Sequence, residues 1–410
     1  MRSVYEFMVA TADRNYQLRL VGVTGTAMLV RVALVFLLAM VAGISWKNVL
    51  AGHDGVEYLT MAEHLAKGTP TSIPLEARRH DLGWPLLLAF AARFLSLPLA
   101  ALVLQLALTA AIVIQTSLLA VALLGVSPQD SLRLAAAAVL AYPAALYYSA
   151  FALSEPFFVT LILASLLLAH HGRYVWAGFV AGMAATVRSP AILLLPPLTW
   201  LCWTTTACLP PRRRIVACVG HLACALLPVM AILLASYLLW GTHATSLHSP
   251  RFSWPLAGFR ELFARGFFRG LYVATCLAVT GLAVIKFSGQ SLKQPMPTLR
   301  AITFFSALFL AFHLCLESLV YYGHRIYLVD YFDRYLLPLW PFVVLATPRW
   351  WRWWFVSVML AVSIFMSVYW GKNYFAAVKT HGAPMLEHLR KTNVSQSPKQ
   401  PTRSEMHMRR

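Results

Sequence analysis

The polar stretch His53-Asp54-Gly55-Val56-Glu57-Tyr58 follows the first long apolar run, and Asp54 is its most chemically suggestive residue. A carboxylate at a membrane boundary meets water on one side and lipid headgroups on the other. Partial desolvation there raises its pKa toward the range a general base needs. Asp54 could equally cap the free N–H groups of the helix that follows. A second carboxylate, Asp81, stands in Arg78-Arg79-His80-Asp81-Leu82-Gly83-Trp84-Pro85. It could share the work by orienting an acceptor or a divalent cation, or it could cap the helix after Pro85. A third, Glu155, opens an apolar run as Leu153-Ser154-Glu155-Pro156-Phe157, where a helix N-terminus favours an acid on structural grounds alone. Arg188 and Arg334 lie at the ends of apolar runs. An arginine there is costly unless it is paired or snorkels to the interface. Arg334 has Asp330 and Asp333 as nearby candidate partners.

The elements that would position these residues are hydrophobic helices. The 410-residue chain is 59% hydrophobic and 12% charged, against about 25% charged in soluble domains. Apolar runs predict about eleven spans, at approximately 25–46, 99–124, 133–150, 154–170, 174–187, 190–206, 215–240, 269–286, 300–321, 335–347 and 353–371. The first is read as an uncleaved span carrying Arg31, packed within the bundle or reaching for the inner interface. Spacings of three and four along Asp54, Glu57, Tyr58, Met61 and Leu65 predict a short amphipathic helix on the membrane surface, and 83–97 predicts a second interfacial helix. The expected fold is an all-α polytopic membrane protein: a transmembrane domain over 1–371, with a first outer loop at 47–98, and a polar basic tail over 372–410.

With the N-terminus in the cytoplasm, the turns holding Arg133, Arg173, Arg212 to Arg214, Lys286 to Arg300 and Arg349 to Arg352 fall inside, as the positive-inside rule requires. The basic tail after Gly371 would then lie outside. Loop 47–82, the turns at Glu155 and Arg188, loop 241–268 and segment 322–334 share the outer side, which places one polar chamber there.

The formal net charge of +19 suggests anionic lipid surfaces rather than nucleic acid, because the basic residues sit in short turns and the tail. The six cysteines lie in or beside apolar runs, without disulfide or zinc spacing. There is no Walker loop, dinucleotide fingerprint, HExxH or nucleophile elbow. His170-His171 falls at an inner turn and reads as solvated. No internal repeat of the kind transporters often carry is visible.

The order Asp54-x-x-x-Tyr58-Leu59-x-x-Ala62-x-x-Leu65, then Gly68, a basic stretch and Gly83-Trp84-Pro85-Leu86-Leu87-Leu88, resembles the first periplasmic loop of GT-C fold glycosyltransferases. It is most similar to the bacterial relatives of protein O-mannosyltransferases and of the lipid A aminoarabinose transferase. Ser154-Glu155-Pro156, the segment from Gly178 to Arg188-Ser189-Pro190, and Arg334-Tyr335-Leu336-Leu337-Pro338 resemble further family segments in the same order. Many members read Pro-Pro-Gly-Tyr-Pro where this chain has His80-Asp81-Leu82-Gly83-Trp84-Pro85, so Asp81 matches less well than Asp54.

The resemblance implies a GT-C-like bundle in a bacterial inner membrane with its site on the periplasmic side. The donor would be a polyprenyl-phosphate-linked sugar and the acceptor a lipid, glycan or protein, with inversion favoured. The catalytic residues would be Asp54, Asp81 and Glu155. Donor phosphate would meet Arg188, Arg334 and Arg251. Glu57, Tyr58, His80 and His248 would contact acceptor or sugar, although the loop carrying His243, His248 and Arg251 also reads as an ordinary solvated connection. A divalent cation is the one cofactor considered, and membrane lipids are expected partners. Two other readings stay open: a transporter or flippase of a lipid-linked substrate, and a non-catalytic membrane subunit of an envelope-assembly complex. Few polar residues lie in mid-span, chiefly Arg31, Gln105 and Gln115, which disfavours the transporter.

Overall fold

The computed structural model describes residues 14–74, 77–241, 249–252, 267–293, 296–321, 324–327, 332–346 and 352–381. The chain is a polytopic helical membrane protein. Helix α1 (Arg14–Ala42) is followed by the short α2 (Trp46–Leu50), α3 (Gly55–Ala66) and α4 (Gly83–Ala91). Then come α5 (Leu97–Leu124), α6 (Pro128–Leu140), α7 (Pro143–Tyr148), α8 (Glu155–His170), α9 (Tyr174–Val187), a 3-10 turn (Ser189–Leu194), α10 (Leu195–Thr205) and α11 (Pro211–Trp240). The later part holds α12 (Phe267–Lys293), α13 (Pro297–Cys315), α14 (Phe332–Tyr335), α15 (Trp340–Ala346) and α16 (Arg352–His381). Among the described residues, α1, α5, α11 and α13 are long and apolar enough to cross a membrane. Helix α11 carries Val216, Leu227, Leu234 and Leu238 on an exposed face. Exposed apolar side chains along such a helix suit a hydrocarbon solvent.

Each predicted span has a helical segment at its place, but several differ in extent. The first begins at Arg14. Helix α16 runs through Gly371 to His381. The span expected at 133–150 is two helices, because Pro143 forces Tyr142 into extended backbone and ends α6 before it. Ser127 caps α6 by accepting from the Asp130 N–H at 3.2 Å, so that helix starts earlier than its apolar residues suggest. The span expected at 300–321 leaves the helix at Leu316, whose backbone is extended. From there the chain forms β2 (Leu316–Tyr321), which pairs antiparallel with β1 (Ser249–Phe252) and β3 (His324–Tyr327) in a small three-stranded sheet. This sheet is an addition to the helical bundle that the apolar pattern did not anticipate. Arg251 pairs with Ser318 in it through the backbone register.

The centre of the bundle is an irregular segment. Residues 141–156 are buried throughout, yet only α7 and the first residues of α8 within them are helical. Non-helical backbone at membrane depth is tolerated where protein surrounds it and satisfies its polar groups. Three neighbours do so. The Ala152 N–H donates to the Leu50 carbonyl at 2.8 Å. Trp84 Nε1 donates to the Ala152 carbonyl at 2.9 Å. Gln105 Nε2 donates to the Leu153 carbonyl at 2.7 Å. The first outer loop and α5 therefore hold in place the turn that delivers Ser154 and Glu155.

Candidate active site

Asp54 sits at the start of α3 but does not cap it with its side chain. Its carbonyl accepts from the Glu57 and Tyr58 N–H groups, each at 3.1 Å, which leaves the carboxylate for another partner. That partner is Arg334, whose Nη1 donates to Asp54 Oδ2 at 2.8 Å. The same guanidinium uses Nε to donate to Glu155 Oε1, and Arg188 Nη1 donates to the same Glu155 oxygen. Four charged residues from four distant parts of the chain thus form one chain of contacts: Asp54, Arg334, Glu155, Arg188. The partners that the sequence offered for Arg334, Asp330 and the Asp333 side chain, lie outside the described residues.

Burial separates the two carboxylates. Glu155 is 2% exposed and Arg334 5%. The Asp54 side chain keeps 29% of its surface, so it is the carboxylate that faces the open side. Tyr148 lies beneath the Arg334 guanidinium at 5.5 Å, and Tyr335 faces that of Arg188 at 5.2 Å. Burial opposes the charge on Arg334, but Glu155 and Asp54 outweigh it and hold the guanidinium firmly protonated. For Arg188 burial likewise acts against the charge, and Glu155 again prevails.

Two glycines let the loop approach. A Cβ on Gly55 would strike the Leu50 carbonyl, and one on Gly83 would lie 2.7 Å from the Thr186 carbonyl. His53, next to Asp54, has a φ of 52° and is the one non-glycine residue in left-handed backbone among the described residues. Such a conformation persists only when its surroundings over-determine it. Here Tyr374 of α16 accepts the His53 N–H at 2.6 Å and stacks on its ring at 4.1 Å, while His53 Nε2 meets the Tyr147 hydroxyl at 2.8 Å. Burial, reinforced by Arg334, lowers the His53 pKa to about 4, so its imidazole is neutral at physiological pH.

The remaining expected residues form a supporting layer. Tyr58 contacts the Ser154 hydroxyl at 3.1 Å, and burial raises its pKa well above the usual phenol range. Glu57 is buried, and its Oε2 lies 2.6 Å from His80 Nε2. Asp81 does not cap α4. Its Oδ2 accepts the Ser189 N–H at 3.1 Å and so fixes the turn that carries Arg188. Burial raises the Asp81 pKa to about 6. Arg251 lies in β1, and its side chain, like the whole of His248, falls outside the described residues. Among the described residues no set of three His, Cys, Asp or Glu side chains gathers as a metal site.

Tyr147, Tyr148 and Tyr374 are not singled out by the sequence. Tyr147-Tyr148 lies inside a predicted span, where an aromatic pair reads as lipid-facing or core. The signal that could have found it is Pro143, which breaks the span just before.

No family model matches the chain, and no curated protein matches it. Among solved structures, it is similar to ArnT from Cupriavidus metallidurans bound to undecaprenyl phosphate, at 14% identity and a TM-score of 0.50, over 86% of this chain and 78% of that one. At that identity the likeness concerns the fold, which is the GT-C fold expected from the first loop.

Proposed function

We propose that this GT-C fold protein transfers a sugar from a polyprenyl-phosphate donor to an acceptor hydroxyl at the periplasmic face of a bacterial inner membrane. The observation that carries the reading is Arg334, which holds the exposed carboxylate of Asp54 and the buried carboxylate of Glu155 at once. The solved relative in fold, bound to undecaprenyl phosphate, supports the donor class.

Arg188 and Arg334 share Glu155 as their anchor, so two guanidinium groups stand together beside an open carboxylate. A donor phosphate entering there competes with Asp54 for Arg334. A carboxylate paired with a guanidinium is a weak proton acceptor, and release from the pair strengthens it. Donor binding therefore readies Asp54. The acceptor oxygen attacks the anomeric carbon as Asp54 takes the hydroxyl proton. The bond from that carbon to the phosphate oxygen breaks, and its electron pair leaves with the polyprenyl phosphate. The charge gathering on the leaving group is met by Arg188 and Arg334, which are already fixed in place. The proton on Asp54 then passes to water. Glu155 holds the two arginines, and Asp81 holds the Arg188 turn.

The test is incubation of the purified protein with radiolabelled polyprenyl-phosphate sugars and a crude envelope acceptor fraction, with a nucleotide sugar as the comparison donor. Label entering the acceptor from the polyprenyl-phosphate sugar alone is expected. Transfer from the nucleotide sugar alone, or none from either in a folded protein, contradicts the reading.

A further inference from the structure

Arg31 stands within α1 and is 3% exposed, a buried charge in an apolar span. Its Nη1 donates to the Gln105 carbonyl at 3.3 Å and to Thr109 Oγ1, both on α5. Gln105 in turn grips the Leu153 carbonyl, two residues before Glu155. Gln105 Oε1 is one of several buried polar atoms without a protein partner; Arg31 Nε and Glu155 Oε2 are two others. Arg31 and Glu155 line one small cavity of about 30 Å³, together with Tyr148 and Ser149. A cavity of that size holds a water molecule when two or more polar groups face it. Arg31 and Glu155, which line it, each carry one unpartnered polar atom, a donor and an acceptor for such a water.

We infer that an ordered water in this cavity links Arg31 to Glu155, which makes Arg31 a positioning residue for the two arginines that receive the donor. In this arrangement Glu155 Oε1 receives Arg188 and Arg334, and Oε2 receives the water. The water and Arg31 fix the second oxygen and hence the plane of the carboxylate. Arg31 also adds a third positive charge behind Glu155. Two carboxylates then face three guanidinium groups, a balance that favours an anionic ligand. The role assigned to Arg31 in donor binding rests on the proposed transferase reading; the water link does not.

The experiment uses the full chain. Thermal unfolding is measured for wild type, Arg31→Met, Glu155→Gln and the double variant. The link predicts that the Tm loss of the double variant is clearly smaller than the sum of the single losses. Additive losses overturn it. If Glu155→Gln does not fold, Ala138→Val, which fills the cavity from α6, takes its place in the cycle with the same expectation. In the transfer assay, Arg31→Met and Ala138→Val should each raise the donor KM about tenfold at unchanged acceptor KM, and Arg31→Lys should restore most of the loss. An unchanged donor KM in either of the first two overturns the positioning role. A wild type that transfers no sugar defeats the transferase reading instead, and the unfolding cycle still decides the link.

Discussion

Arg334 and Asp54 meet at 2.8 Å although 280 residues separate them. The contact closes the bundle around the site, because α14 comes from the last part of the chain and Asp54 from the loop after its first helix. Nothing local to either segment requires it. Both side chains are kept in place by the elements packed around them, and the pair is open to solvent on the Asp54 side.

Arg334 does two jobs that lysine cannot share. Its Nε and Nη1 hold two different carboxylates, a fork that one ammonium does not reproduce. Arg334→Lys should fold and lose about 10²-fold or more in kcat/KM for the donor, read in the labelled-sugar assay. Arg334→Met leaves Glu155 without one of its two guanidinium partners in a buried setting, and should be destabilised by about 3–5 kcal/mol. Wild-type kinetics in Arg334→Lys would remove the bridging role.

Tyr374 ties the last helix to the loop of Asp54. Tyr374→Phe keeps the ring stacked on His53 and deletes the hydroxyl that accepts its N–H. A buried N–H left unpaired costs about 1–3 kcal/mol. A lower Tm and a lower kcat are expected, with a donor KM no higher than that of wild type, since the change displaces Asp54 and spares the arginines. A change in donor KM alone would assign Tyr374 a different part.

Asp81 makes stability depend on pH in an identifiable direction. Its folded pKa, raised to about 6 from an ordinary value near 3.8, means the folded protein keeps a proton that the unfolded chain has lost. Between those values stability contributed by this group falls as pH rises. Asp81→Asn retains an acceptor for the Ser189 N–H and cannot ionise. The Tm of Asp81→Asn minus that of wild type should therefore be greater at pH 7.5 than at pH 4.5. A difference independent of pH would show that Asp81 is not held protonated by burial.

Much of this site could be read before folding, for a physical reason. A charged residue in an apolar chain is costly, so Asp54, Glu155, Arg188 and Arg334 stand out, and their common sidedness follows from the alternation of spans. Their pairing could not be read. The partners lie 33 to 280 residues apart, and sequence offered Arg334 nearer candidates in Asp330 and Asp333. Glu57 and Asp81 show the same limit. Helical spacing put Glu57 on a short surface helix, and only the fold shows it buried against His80. A position before Pro85 suggested a cap for Asp81, whereas the fold gives it the Ser189 N–H. The helices themselves were legible from hydropathy, and their ends were not. Pro143 and Leu316 break runs whose apolar content continues past them.

The most direct measurement compares wild type with Asp54→Asn in two assays on the same purified samples, binding of undecaprenyl phosphate and transfer from a labelled polyprenyl-phosphate sugar. The neutral amide in that variant competes more weakly with the phosphate for Arg334 than the carboxylate does. The variant should therefore bind the lipid at least as tightly as wild type, while sugar transfer falls by about 10²–10⁴-fold. Transfer at the wild-type rate by Asp54→Asn, or no binding of the lipid by either protein, would contradict the account.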